Sequence, residues 1–275
     1  GGVALSNCPK VMIDAAVVTA ARDARVDVPH YVVGCSDTDC QLLAVSDECE
    51  ITAVHTFEQI EIYDAAVFAD GSFIVGADSG RVGLVRPGHD PEVVWQEVPV
   101  DDPRREQVRS VAISPSGDLA VLAVADVGFF SWDLKRKFTK VGTEPLLTAL
   151  DVVWLSDETA ALTVHLKSTI GERTALAVWS RGDANARTLT IIQRGFAGVD
   201  RLSDRYVVAI TRSGEAQLWD AWAGGRASAL TASSIVPPEA SDLSGQGAWV
   251  QAVSADGKVV VAGYGEHVLR WAVRW

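Results

Sequence analysis

Apolar residues in this chain fall into short runs rich in Val, Ile, Phe and Trp, separated by clusters of Gly, Asp, Ser and Pro. Runs of that length and composition, punctuated in that way, predict strands joined by tight turns. The runs combine into a recurring phrase: an apolar strand, an Asp/Ser-Gly turn, a second apolar strand, then a strand with Trp near its middle. Its clearest copy runs Val108-Arg109-Ser110-Val111-Ala112-Ile113-Ser114-Pro115-Ser116-Gly117, then Leu119 to Ala125, then Phe129-Phe130-Ser131-Trp132-Asp133-Leu134. First strands of the phrase start near Met12, Ile62, Val108, Leu147, Phe196 and Ala248, at intervals of 39–52 residues. The best helical candidate, Asp14–Asp27, is Ala-rich but contains Val17-Val18 and leads into a strand, so its first half reads as strand and the rest as loop.

A repeat of about 40–50 residues built from short strands predicts an all-β fold, a single β-propeller over residues 1–275. Six four-stranded blades fit best, with seven as the alternative. Blade one is Met12–Ala20, Tyr31–Cys35, Gln41–Val45 and Ile51–Phe57. Blade two is Ile62–Ala69, Ser72–Ala77, Arg81–Arg86 and Glu92–Val98. Blade three is Val108–Ser114, Leu119–Ala125, Gly128–Asp133 and Phe138–Gly142. Blade four is Leu147–Leu155, Thr159–Leu166, Arg173–Ser180 and Arg187–Gln193. Blade five is Ala197–Leu202, Tyr206–Thr211, Ala216–Ala221 and Ala227–Thr231. Blade six supplies three strands, Trp249–Ser254, Val259–Tyr264 and His267–Val273. An orphan strand, Gly2–Ser6, is expected to pair beside His267–Val273 and close the ring, which would remove an exposed sheet edge. The longest predicted loop is Ala232–Gln246.

Composition narrows the function classes. The chain is 48% hydrophobic and 22% charged, the balance of a globular domain. No apolar run reaches the length of a membrane span. Gly1-Gly2-Val3-Ala4-Leu5 lacks the basic start of a secretion signal, and its Gly-Gly can be read as a cloning scar on a module of a longer protein. Net charge is −12, and no basic stripe runs along the chain, which argues against a nucleic-acid partner. The four cysteines all lie in the first 50 residues, at Cys8, Cys35, Cys40 and Cys49. Cys35 and Cys40 flank a four-residue turn, so a bridge between them is feasible in an oxidising compartment. Cys49 belongs at the other end of the blade, which argues against a four-cysteine zinc site. The compartment stays open, with the cytoplasm slightly favoured.

The phrase resembles the WD-repeat β-propeller family. Ser131-Trp132-Asp133 and Leu218-Trp219-Asp220 match its signature dipeptide at the end of the third strand, and Val178-Trp179-Ser180 and Arg270-Trp271-Ala272 are degenerate versions. Ser114-Pro115-Ser116-Gly117, Ala69-Asp70-Gly71 and Ala255-Asp256-Gly257 match its first turn. The family's Gly-His pair before the first strand is absent, so the hydrogen-bond network that His anchors is not expected here. The resemblance implies a non-catalytic scaffold or sensor that receives a protein or peptide, with a basic side chain entering the mouth of the channel. No cofactor is implied.

Catalytic signatures are missing. The sequence has no Gly-x-Ser-x-Gly, no phosphate loop and no His-Glu-x-x-His, and its five His are scattered. The one constellation is acidic. Ile13-Asp14-Ala15-Ala16-Val17 and Tyr63-Asp64-Ala65-Ala66-Val67 are near copies. Aligning the first strands places Asp14, Asp64, Ser110, Asp151, Asp200 and Gln251 at the channel mouth, the last two with an uncertain register. Carboxylates gathered on one axis favour a cation, such as an Arg or Lys from a partner. Two further readings stay open: a lactonase-like hydrolase with a carboxylate-held Ca²⁺, and an extracellular ligand sensor. The plain alternative is that these Asp side chains cap backbone N–H groups at the strand entrance. Phe57, Arg104, Arg105, Phe196, Trp249 and Tyr264, with Ile60 and Ile235, are expected on the rim around the same mouth. If the mouth binds the partner, Asp64→Ala weakens binding and leaves the melting temperature nearly unchanged.

Overall fold

A computed structural model describes residues 2–4, 12–14, 30–35, 40–45, 51–68, 70–86, 92–101, 106–135, 137–142, 147–166, 173–192, 196–211, 216–222, 225–229, 248–253, 259–264 and 267–272. All regular structure among them is β. The strands are β1 (Gly2–Ala4), β2 (Met12–Asp14), β3 (His30–Cys35), β4 (Cys40–Val45), β5 (Ile51–Phe57), β6 (Ile62–Val67), β7 (Phe73–Ala77) and β8 (Arg81–Arg86). There follow β9 (Glu92–Glu97), β10 (Val108–Ile113), β11 (Ala120–Val124), β12 (Gly128–Trp132), β13 (Phe138–Val141), β14 (Leu147–Ser156), β15 (Thr159–Leu166) and β16 (Arg173–Ser180). The last are β17 (Arg187–Ile192), β18 (Phe196–Arg201), β19 (Tyr206–Thr211), β20 (Ala216–Asp220), β21 (Gly225–Ala229), β22 (Ala248–Val253), β23 (Val259–Tyr264) and β24 (His267–Ala272). Among the described residues no helix is long and apolar enough to cross a membrane.

Sheet order follows chain order throughout. Among the described residues four sheets have four strands, β6-β7-β8-β9, β10-β11-β12-β13, β14-β15-β16-β17 and β18-β19-β20-β21, and two have three, β3-β4-β5 and β22-β23-β24. The first turn of the phrase works as its residues require. Gly71 and Gly117 sit at φ 82° and 73°, a left-handed conformation that glycine adopts without steric penalty.

Two expectations are corrected at the chain start. The strand at Gly2–Ala4 does not extend the last sheet: it pairs antiparallel with β2, with Val3 opposite Ile13, and the β22-β23-β24 sheet keeps three strands among the described residues. Among the described residues the first sheet also has three strands, and Met12–Asp14, expected to open it, pairs with Gly2–Ala4; 15–20 lie outside the described residues. Proximity along the chain is the physical reason, since a short connection closes at lower entropic cost than one spanning the whole chain.

The chain divides into two compact units. One comprises Gly1–Ile113, Gly117–Ala125 and Ser131–Thr139; the other comprises Ser114–Ser116, Asp126–Phe130 and Lys140–Trp275. Each is built by laying successive sheets face to face. In the first, Leu42 and Phe57 of one sheet bury against Ile62, Phe73, Val75 and Val85 of the next. In the second, Leu155, Ala161, Leu176 and Val178 bury against Val199, Val207, Ala209 and Trp219. First strands lie side by side: β6 beside β10 in one unit, and β14 beside β18 and β18 beside β22 in the other. In the second unit the end of β13 is also tied to the β16–β17 turn, with the Gly142 N–H donating to the Ala184 carbonyl at 2.8 Å and the Ala186 N–H to the Gly142 carbonyl at 2.7 Å.

Gly76 on β7 shows how closely the sheets meet. A Cβ there would stand 2.5 Å from the Val108 carbonyl oxygen and 2.9 Å from its Cγ1. Neither the backbone carbonyl nor the packed valine can retreat, so even one methyl group forces the sheets apart. Gly76→Ala is expected to lower stability by about 1–3 kcal/mol through overpacking, read as a lower urea midpoint with an unchanged slope.

Candidate functional site

Five of the first strands carry the same irregularity. Their pairing with the second strand slips by one residue between Ile62 and Asp64, Val108 and Ser110, Ala149 and Asp151, Phe196 and Gly198, and Ala248 and Val250. A β-bulge at one fixed place re-aims the neighbouring side chains in each sheet. It also aligns the sheets without reference to residue type. Asp64, Ser110 and Asp151 are equivalent, as the sequence alignment had them. The corresponding positions further on are Gly198 and Val250, so Asp200 lies two residues along from that position and Gln251 one.

Asp64 and Asp151 do the same thing in the two units. Asp64 Oδ1 accepts the Ala65 N–H at 2.8 Å, and Oδ2 accepts the Val111 N–H of β10 at 2.9 Å. Asp151 Oδ1 accepts the Val152 N–H at 2.8 Å, and Oδ2 accepts the Val199 N–H of β18 at 2.9 Å. In each case the second donor follows the equivalent bulge position of the next sheet. One carboxylate thus holds its own bulge and the first strand of its neighbour together. Bonds from backbone N–H to an ionised carboxylate are among the stronger ones in proteins.

Beside this clasp lies a polar row that the sequence alignment passed over. The Arg109 Nε donates to Gln107 Oε1 at 3.1 Å, Gln107 Nε2 donates to the Tyr63 hydroxyl at 2.8 Å, and that hydroxyl donates to Glu61 Oε2 at 2.6 Å. Burial, and then the Glu61 carboxylate that accepts its proton, raise the Tyr63 phenol well above its ordinary range. Tyr63 and Arg109 are the extra residues of their bulges, one place before Asp64 and Ser110. A one-residue offset in a strand sends a side chain to the other face. The signal that would have found them is the bulge itself, which leaves no mark in an alignment of apolar positions.

The Trp-Asp pairs organise turns and cores. Asp133 Oδ1 accepts the N–H groups of Lys135 and Lys137 at 3.0 and 2.9 Å, closing the turn before β13. Asp220 Oδ1 accepts the Trp222 N–H at 3.0 Å, and its Oδ2 accepts Arg205 Nε at 2.8 Å. Trp132 is fully buried and stacks on Phe138 with ring centroids 5.5 Å apart. Its indole N–H has no hydrogen-bond partner among the described residues.

The remaining predicted positions fall as follows. Ser110 is buried, and Asp200 Oδ1 accepts the Arg201 N–H at 2.7 Å. Phe57, expected on the rim, is a core residue at 2% exposure, edge-on to Trp95 at 6.2 Å; it ends β5, packed among Ile62, Phe73 and Val75. Asp14, Phe196, Trp249, Gln251 and Tyr264 lie on strands whose side chains are outside the described set, and Arg104, Arg105 and Ile235 are outside it altogether. Cys40 is buried and disulfide-bonded, stands opposite Cys35 in the β3–β4 register, and accepts the Ile62 N–H on its Sγ at 3.3 Å. Among the described residues no three of His, Cys, Asp and Glu are grouped to hold a metal ion.

Consecutive antiparallel sheets, laid face to face with first strands adjacent and Trp-Asp turns at the end of third strands, define a WD-repeat propeller-like fold. The chain is similar in structure to the C-terminal WD40 domain of Sif2, with a TM-score of 0.58 over 95% of this chain and 82% of that one, at 12% sequence identity. No family model matches the chain, and no curated protein matches it.

The clasp reverses one expectation about stability. Asp64→Ala removes the acceptor for two backbone N–H groups in separate sheets, so it is expected to destabilise the fold by about 2–4 kcal/mol, while Asp64→Asn, which keeps one carbonyl acceptor, loses roughly half of that. Urea unfolding of the two variants beside the parent checks the order.

Proposed function

We propose that the chain is a non-catalytic binding module that receives a protein or peptide segment at the end of its sheets where the first strands begin. The observation that carries this reading is the preformed row Glu61–Tyr63–Gln107–Arg109, with an exposed arginine at its head. Each donor in the row already has its acceptor, so the side chains are held in place before a partner arrives. Preorganised polar groups on rigid strands bind with less entropy lost than mobile ones. Arg109 suits a carboxylate or a main-chain carbonyl of the incoming segment. An acidic socket for a basic side chain has less support, because both oxygens of Asp64 and of Asp151 already accept amide protons. Likeness to a WD40 domain supports the scaffold class, not a particular partner.

Peptides selected from a random displayed library on the parent chain are expected to lose affinity about tenfold or more on the double change Gln107→Ala, Arg109→Ala, with the melting temperature little changed. Equal affinity for that variant would reject this end of the sheets as the binding face.

The disulfide at Cys40 supports a second element of the reading, a domain that works in an oxidising compartment. Peptide mapping of the non-reduced protein is expected to return Cys40 linked to Cys35. Recovery of Cys40 as an alkylated thiol would remove that support.

A further inference from the structure

A sulfur atom ties the first sheet to the strand that opens the polar row. Cys40 begins β4, is disulfide-bonded and is 1% exposed. Its Sγ accepts the Ile62 N–H of β6 at 3.3 Å. Cys40 and Ile62 also share one buried cluster with Leu42, Phe57 and Phe73. Ile62 stands between Glu61 and Tyr63, two of the four side chains in the row, and it opens the bulge that ends at Asp64. The Ile62 N–H and the Glu61 carbonyl belong to one planar peptide unit. That unit is therefore gripped at both ends, its N–H by the Cys40 sulfur and its carbonyl by the Asp78 N–H at 3.0 Å.

Oxidation state decides what the sulfur can do. Bridged, the Cys40 sulfur is tethered to two points of the chain and cannot turn about its Cα–Cβ bond without moving its mate. As a thiol it can take other staggered positions, and it is a weak acceptor in any of them. The ties from Asp64 to Val111 and from Asp151 to Val199 are made by carboxylates, which oxidation and reduction of cysteine leave as they are. Of these three ties between sheets, the one at Ile62 answers to the thiol–disulfide state.

We propose, on the footing that the polar row is the binding face, that Cys40 is a positioning residue for the row and that its oxidation sets the row's readiness to bind. Cys35, opposite Cys40 in the β3–β4 register, is its mate. The bridge forms by exchange with a small-molecule disulfide. Two cysteine thiols give up two electrons, one S–S bond forms in the protein as one breaks in the small disulfide, and the two thiol protons leave on the two small thiols produced. In the reduced chain the Glu61–Ile62 peptide unit loses that fixed sulfur. The Glu61–Tyr63 end of the row loosens, and a partner must order it on binding.

The test uses the full chain in three states: oxidised, reduced with dithiothreitol and then freed of it, and reoxidised with glutathione disulfide. Peptides selected on the oxidised parent are titrated against each state by fluorescence anisotropy, and amide hydrogen exchange is read residue by residue by NMR. Reduction is expected to weaken binding about fivefold or more, the cost of ordering one or two side chains, and reoxidation to restore it. Exchange is expected to quicken at Ile62 and stay unchanged at Val199, a local response that a general loss of stability would not give. Cys35→Ser keeps the Cys40 sulfur without a bridge; it is expected to bind as the reduced parent does and to ignore the oxidant. The proposal is overturned if reduction leaves exchange at Ile62 unchanged, or if Ile62 and Val199 quicken together. It is also overturned if affinity holds while Ile62 loosens, or if Cys35→Ser still responds to the oxidant. Weaker binding by the Gln107→Ala, Arg109→Ala variant without any redox response sinks the role of Cys40 and leaves the binding face standing. Equal affinity for that variant rejects the face, and this role with it.

Discussion

The structure depends on how a carboxylate at a β-bulge spans two sheets. A strand that bulges leaves a backbone N–H turned away from its ladder, and an unpaired buried N–H is costly. Asp64 and Asp151 use one oxygen for the residue beside their own bulge and the other for the first strand of the following sheet. The irregularity that would weaken a sheet by itself becomes the joint between sheets. Face-to-face burial of residues such as Phe73, Val75, Leu176 and Val207 then supplies the nondirectional part of the association.

This joint also accounts for the chemistry near the strand starts. Asp64 and Asp151 are bound to backbone amides, the capping alternative open in the sequence, and the polar row is built from neighbouring residues of the same bulges. Tyr63 and Arg109 stand where they do because the strand carries one residue more than its partner.

Much of the fold is legible in the sequence because the strands are bounded by residues with strong backbone preferences. The Asp70-Gly71 and Ser116-Gly117 turns mark their hairpins directly, and strands β6 to β24 fall within a residue or two of the predicted runs. The chain start was not legible, since the choice of partner for Gly2–Ala4 depends on loop entropy rather than on pattern. Asp64 and Ser110, placed by counting back from the turn, and Asp151, placed by apolar alignment, share the bulge position, but whether a carboxylate faces a ligand or a neighbouring amide depends on distances between sheets. Phe57 looked like rim for the same reason: a strand-end aromatic is core or surface according to what packs over it, here Trp95.

The clasp is not uniform. In the second unit Asp151 fastens β18, but the equivalent residue of β18 is Gly198, which has no side chain with which to fasten β22. Successive sheets of the second unit thus differ in whether a side chain at the bulge joins them. In an array stabilised by nearest-neighbour terms, opening begins at the least secured junction and need not spread. The β14-to-β18 junction carries such a carboxylate term, and the β18-to-β22 junction, with glycine at that position, does not.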